Sequence, residues 1–334
     1  MNKRLFSFAG IVIAAFTLVA SSPAQTRPGR GNVAKDTLSF LPASDGVMVI
    51  DVRRLLNETL PQVFAGDSAK LAQINSEIDK FKTETGVDAR ALNRVVLGSR
   101  YVYPSANVTK LETVAIVRGA FDTKAIAVAG RAKAQGRYRE EKYRGTTIMI
   151  FGINDQIRVL GLWKMRVSDL AVASLDAQTL AIGEPATVRA AIDAGRAGAR
   201  ANTSLVALAT RDPNAVLGFG GNITPQLTAN LNVGTDAMAA DVRSIRQVYG
   251  SLGSTQANLS LTLVARTDTP TSAKNLSDTI TGLKQLGAVL ILRMTGPRKA
   301  LAESALANLK ITTQANEMQI RTEIPAASLA SIVK

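Results

Sequence analysis

The chain has no cysteine and no histidine among its 334 residues. Without cysteine there are no disulfides, so stability rests on packing and hydrogen bonds alone. Without histidine the commonest general base near neutral pH is missing. Ser-His and Cys-His nucleophile pairs, zinc sites built from His and Cys, and histidine-held haem are excluded with it. Aromatics are scarce, at 4% with Trp163 the one tryptophan, so little is available for a sugar-stacking platform. Long apolar runs are also few. Past the first two dozen residues the most apolar run is Leu286 to Leu292, bounded by Gln285 and Arg293, and it is too short to span a bilayer.

What is present fits a packed protein. The apolar fraction of 46% supplies a sizeable core, and the length suits two domains. The formal charge is +14, or +12 once Lys3 and Arg4 leave with a cleaved leader. Such a charge favours contact with polyanions. Residues 1–24 read as that leader: Lys3 and Arg4, an apolar run from Leu5 to Ala20, then Ser22-Pro23-Ala24. Cleavage is expected between Ala24 and Gln25, which places the mature chain in the periplasm or outside the cell, with no transmembrane segment afterwards. No cysteine follows the run, so no lipid anchor is expected there. Residues 25–37, with Arg27, Pro28, Gly29, Arg30 and Gly31, read as a disordered leader.

Val47 to Val52 reads as a strand, followed by a helix over Arg53 to Phe64 that Pro61 kinks or shortens. A second helix opens at Asp67, puts Leu71, Ile74, Ile78 and Phe81 on one face and stops at Gly86. Next comes a unit from Arg94 to Arg131: strand, turn at Pro104 to Asn107, strand, then a helix capped by Asp122. A weaker copy runs from Arg246 to Leu286, with Arg246-Gln247-Val248-Tyr249-Gly250-Ser251 echoing Arg94-Val95-Val96-Leu97-Gly98-Ser99, and with Leu276, Ile280 and Leu283 at helical spacing. A last echo pairs Gly183-Glu184-Pro185 with Glu323-Ile324-Pro325. The reading is an α+β fold of two related halves, each an antiparallel sheet packed with helices: residues 38–195, a linker at 196–212, and residues 213–334.

Several short motifs carry a resemblance. Leu41-Pro42 with Asp45, Asp51-Val52, Thr85-Gly86-Val87-Asp88, Leu175-Asp176 with Ala181-Ile182-Gly183, and Ile324-Pro325 make the chain similar to a family of uncharacterised exported bacterial proteins seen in acidobacteria. The resemblance implies an architecture and a compartment, and no activity.

The chemical candidates are few. Arg131 to Arg166 is rich in cations, and Arg137, Arg139, Lys142 and Arg144, interleaved with Tyr138 and Tyr143, form the candidate polyanion site. The plainer reading is an edge strand whose charges block unwanted pairing. Gly218-Phe219-Gly220-Gly221-Asn222 follows a short strand, Ala215 to Leu217; it reads as a turn, since a dinucleotide fingerprint is incomplete. Asp51, Glu112, Asp122, Asp176 and Glu184 are carboxylates that no spacing brings together as a glycosidase pair would need. Ser331 and Lys334 have serine–lysine spacing, but at a chain end. The six Asn-x-Ser/Thr triplets, such as Asn107-Val108-Thr109, are chance spacing in this composition. No catalytic, cofactor or metal residue stands out. The function expected is an exported, soluble, non-enzymatic protein binding or scaffolding an anionic envelope polymer or a protein partner, with no specific nucleic acid. The alternatives are a carboxylate hydrolase at the junction of the halves and a carrier of a small apolar ligand between sheet and helices.

Overall fold

The computed structural model describes residues 37–105, 108–134, 136–159, 163–197, 202–229, 235–254, 258–326 and 328. The expected signal peptide, the leader up to residue 36, Ser331 and Lys334 lie outside them. Thr37, read as the last residue of the disordered leader, is helical and fully buried.

Strand β1, Gly46–Asp51, is the centre of the molecule. The Asp51 carboxylate accepts the Arg54 amide at 2.9 Å and starts helix α1, Val52–Arg54. The helix widens into a π turn, Leu55–Thr59, and continues as α2, Leu60–Val63. Pro61 has no N–H to return to the preceding turn, which agrees with the disturbance expected there. Asp67 caps α3, Ser68–Thr85, and Gly86 ends it in the left-handed region at φ 73°. Then follow β2, Leu92–Ser105, and β3, Val108–Gly119. Asp122 accepts the Lys124 and Ala125 amides and opens α4, Thr123–Ala134.

Strands β4, Tyr138–Tyr143, and β5, Thr146–Val159, meet at Arg144 and Gly145, both at positive φ, as a twisted two-residue hairpin requires. Strands β6, Trp163–Asp176, and β7, Thr179–Gly183, lead to α5, Pro185–Ala197. Helix α6, Thr203–Ala209, stands inside the stretch 196–212 read as a linker, with Leu205 and Ala209 buried in the core. The pattern missed it because about two turns of small and apolar residues are too short to show a helical period.

The second part comprises β8, Leu217–Asn222; α7, Pro225–Ala229; α8, Asp236–Arg243; β9, Ile245–Ser254; and β10, Asn258–Thr267. It ends with α9, Pro270–Ile291; α10, Pro297–Ala307; β11, Lys310–Gln314; and β12, Glu317–Pro325. The expectation of one sheet in each half is corrected. All twelve strands form a single antiparallel sheet in the order β11-β12-β10-β9-β8-β1-β2-β3-β7-β6-β5-β4. The join is β1 against β8, with Gly46 opposite Gly221 and Ile50 opposite Leu217.

The glycine run expected as a turn is therefore a central strand. Gly218 and Gly220 lie under α6: a Cβ on Gly218 would collide with the Ala209 carbonyl, and one on Gly220 would come 2.9 Å from the Leu205 carbonyl. Those glycines let the helix backbone rest on the sheet. Strand pairing overrode the local turn signal.

Period-two alternation sends residues to two faces. Val47, Val49, Val96, Val114, Ile116, Ile148 and Ile150 face α5 and α6. On the opposite face Ile50, Val95, Val117, Leu217 and Leu252 pack with Val52 and Leu55. That face also takes α4 over Met149 and Phe151, and α9 over Ala265 and Met318. The first face of β9, β10, β11 and β12 carries no helix among the described residues apart from the end of α6 at β9.

Candidate functional site

Five of the exposed large apolar side chains gather at the end of α9 and just past it. This helix has 22 residues, about 33 Å at 1.5 Å per residue. Its first half is anchored, with Ala273 and Leu276 buried and Ile280 packed beside them. Its second half leaves the sheet. Leu283 is 42% exposed, Leu286 62%, Val289 57% and Leu292 71%, with Met294 at 36%. Leu283, at helical spacing from Leu276 and Ile280, is not buried with Leu276: the stripe continues past the edge of the sheet, where no other described residue covers it.

Helix α10 packs beside this projecting end. Between them lies an open groove of about 570 Å³, lined by Thr281, Ala288, Ile291, Leu292, Leu306 and Ala307 among others. Lys284 donates to the Leu309 carbonyl at 2.7 Å and ties the helix to the chain entering β11. From Thr281 to Glu303 the sequence holds Lys284, Arg293, Arg298 and Lys299 and one acid, Glu303, which lines the groove and pairs with Lys299 at 3.8 Å. The projecting hairpin is thus apolar in the middle and cationic at its borders.

The sequence-predicted site lies at the opposite end. Strand β4 is the last strand of the sheet, as the edge-strand reading required. Arg137, Arg139, Lys142 and Arg144 are all exposed, but they do not form one surface. Arg139, opposite Ile150, faces α5, while Lys142 lies on the other face with Tyr138 and Glu140. Arg139 pairs with Asp169 at 2.6 Å and Arg144 with Asp193 at 2.6 Å. The Arg189 fork reaches Glu141 at 2.7 and 2.5 Å and holds its carboxyl below the usual range. Arg131 pairs with Glu140 at 2.8 Å and stands over the Tyr138 ring. Arg137 and Lys142 have no carboxylate partner among the described residues.

The structure does bring two of the carboxylates together. Lys110 sits 2.8 Å from Glu184 and 3.4 Å from Glu112, and its pKa is raised, first by the hydrogen bond to Glu184. Asp51, Asp122 and Asp176 are spent on local backbone: two helix starts and the turn where Asp176 accepts the Gln178 amide at 2.7 Å. The junction that the hydrolase reading invoked is a hydrogen-bonded strand pair. Among the described residues no group of three acidic side chains is placed to hold a metal ion.

No protein-family model matches this chain, and no curated protein matches it. Among solved structures, crystal form III of TP0453 aligns at 11% identity and a TM-score of 0.46, over 89% of this chain and 96% of the other. Crystal form IV of TP0453 aligns at 12% identity and a TM-score of 0.47, over 89% and 95%. A likeness at that level carries no inference about site or mechanism.

One cluster was missed by the sequence reading. Tyr249, 3% exposed, donates to Glu317 at 2.8 Å and accepts from Arg211. Arg266 donates twice to Glu317, at 2.9 and 2.7 Å, and once to Gln247 at 2.6 Å. Both guanidiniums stand over the Tyr249 ring, at 5.2 and 5.7 Å. Burial alone would raise the Glu317 carboxyl, but the bonds from Arg266 and Tyr249 outweigh it and hold it below its ordinary value. Burial, followed by the Glu317 bond, raises the Tyr249 phenol. The residues come from the end of α6, β9, β10 and β12, and no local motif joins them.

Proposed function

We propose that this chain is an exported, non-enzymatic envelope protein that docks on an anionic lipid surface through the α9–α10 hairpin. One observation carries the reading: the apolar side chains Leu283, Leu286, Val289, Leu292 and Met294, at the end of α9 and just past it, are exposed beside four cations and a single acid, Glu303. Exposed apolar patches of this kind mark interaction surfaces. The cations select the partner. Anionic headgroups attract Lys and Arg at their own level while leucine and valine enter the acyl boundary, as in helices that lie in a bilayer interface. No helix among the described residues is long and apolar enough to cross a membrane, so the contact is interfacial. The leader read at residues 1–24 delivers the chain to such a surface.

The reading narrows the anionic envelope component expected from composition to a lipid and relocates it from β4 to the hairpin. The Arg137, Arg139, Lys142 and Arg144 surface becomes a secondary contact. Co-sedimentation of residues 25–334 with phosphatidylglycerol-containing vesicles and with phosphatidylcholine vesicles tests it. Binding to the anionic vesicles that weakens with salt is expected. Absence of binding, or equal binding to both vesicle types, overturns it; self-association of the free chain through this face would assign the surface to a second copy instead.

The strand order also supports two related halves. Outward from the join it reads β1-β2-β3-β7-β6 on one side and β8-β9-β10-β12-β11 on the other: a single strand, a hairpin, then a returning hairpin with its second strand inside. The β4–β5 hairpin is an insertion in the first half. A crystal structure in which β1–β3 superposes on β8–β10 by a rotation far from two-fold would refute the relationship.

A further inference from the structure

The half of the sheet left without helices is not a flat solvated face. Where the end of α6 meets β9, the surface sinks into a basin of about 260 Å³. Its wall carries Arg211 and Asp212, and its floor carries Thr262, Thr312, Gln314 and Gln319. Leu208 and Val264 supply an apolar patch beside them. The buried cluster beneath sets Arg211 in place, because the Tyr249 hydroxyl holds one of its N–H groups and the Tyr249 ring lies under its guanidinium at 5.2 Å. Arg211 makes no ion pair with a carboxylate among the described residues, so most of its fork is free for a ligand. A cation already fixed in one rotamer loses little freedom when it binds.

We propose that this basin binds a small polyhydroxylated monocarboxylate, a sugar acid. Each part of that chemistry answers to a part of the site. The planar fork of Arg211 takes a carboxylate in two parallel bonds. Four neutral side chains, Thr262, Thr312, Gln314 and Gln319, have no side-chain partner among the described residues and offer both donors and acceptors to hydroxyls. Asp212 accepts from Ser251 at 3.1 Å and keeps lone pairs for a hydroxyl donor. The C–H face of the ligand rests on Leu208 and Val264, so an aromatic platform is not required. The balance of charge argues against phosphate. Arg266 already offsets Glu317, which leaves Arg211 beside Asp212; a single free cation partly offset by one carboxylate suits a hydroxylated monoanion better than a dianion. The volume lies just under the roughly 300–1,000 Å³ range of drug-sized sites, which suits one small molecule. This site is independent of the lipid contact, being built on the first face of the sheet while α9 lies on the second.

Saturation-transfer NMR on residues 25–334 with glucuronate as the probe tests the proposal. Methyl glucoside serves as the uncharged control and inorganic phosphate as the competitor. Transfer to glucuronate is expected, with methyl glucoside at least tenfold weaker and no displacement by equimolar phosphate. Arg211→Gln is expected to weaken binding at least tenfold, and Gln319→Leu, on the floor and outside the charge network, several-fold. Absence of transfer from the wild-type chain, transfer unchanged in both variants, or displacement by phosphate would each overturn the assignment. Both variants change exposed or half-exposed side chains, and an unchanged melting curve confirms that a loss of signal is a loss of binding.

Discussion

The most informative test of the lipid contact separates its apolar part from its electrostatic part. Two double variants on the projecting hairpin do so: Arg293→Gln with Arg298→Gln, and Leu286→Ala with Val289→Ala. A cation near an anionic lipid surface contributes about 1 kcal/mol, so the first pair should lose about 2 kcal/mol, or about 30-fold in vesicle affinity. The second pair removes three carbons from leucine and two from valine. At about 0.8 kcal/mol per buried methylene, full immersion would make that about 4 kcal/mol, and half immersion about 2. The two losses are then similar at low salt. Their salt responses differ. The Debye length falls from about 10 Å at 0.1 M to about 3 Å at 1 M, so the arginine contribution fades while the apolar one persists. Titrating vesicles into each variant at both salt concentrations, and following the bound fraction by sedimentation, gives four affinities. An apolar variant that binds like wild type, or an arginine variant whose defect is undiminished at 1 M salt, would refute the reasoning. Leu286 and Val289 are more than half exposed, so neither variant should change the unfolding free energy by more than about 0.5 kcal/mol.

Three further outcomes follow from the packing and the charge network. Gly218→Ala pushes a methyl into the Ala209 carbonyl, backbone against backbone, and should destabilise by about 1–3 kcal/mol in urea unfolding; Gly221→Ala, where the nearest atom would be 3.6 Å away, should change little, and equal effects would refute the close approach of α6. Asp67→Ala removes the side chain that accepts the Lys70 amide at 2.9 Å, and a loss of about 0.5–2 kcal/mol is expected; an unchanged midpoint would show that the cap is replaced by water. Glu317 has its folded pKa lowered, so its ionised form stabilises the fold above the unfolded value of about 4.3, and that contribution is lost as pH falls through the folded pKa. The stability gap between wild type and Glu317→Gln should therefore be widest above about pH 4.3 and narrow in acid; a gap independent of pH would mean that the carboxylate's charge is not what the network uses.

Much of the local structure was legible because it depends on neighbours in sequence. Asp67, Asp122 and Gly86 announce helix ends, since a carboxylate satisfies free amides and a glycine tolerates positive φ wherever a helix starts or stops. The Arg144-Gly145 hairpin is local in the same way, since both residues take positive φ at the turn. The candidate sites were less legible. The cations of β4 read as one surface along the chain, but the pleat sends Arg139 and Lys142 to opposite faces, and carboxylates on β6 and α5 pair with Arg139 and Arg144. Leu283 and Leu286 have the spacing of core residues, and a sequence has no means of stating where the sheet beneath a helix stops. Glu317 and Tyr249 are 68 positions apart, and only the alignment of β9, β10 and β12 makes them neighbours.

Composition and short-range chemistry alone determined that this chain has no disulfide, no histidine-based chemistry, a large positive charge and alternating strands and helices. These are properties of side chains or of contacts within a few residues. Tertiary structure decided that both halves share one sheet, that a glycine run is a central strand beneath a helix, that α9 outruns its support, and that Arg211, Tyr249, Arg266 and Glu317 meet. Each of these depends on which strand pairs with which and in what register, and register is set by the burial of whole faces rather than by any local preference.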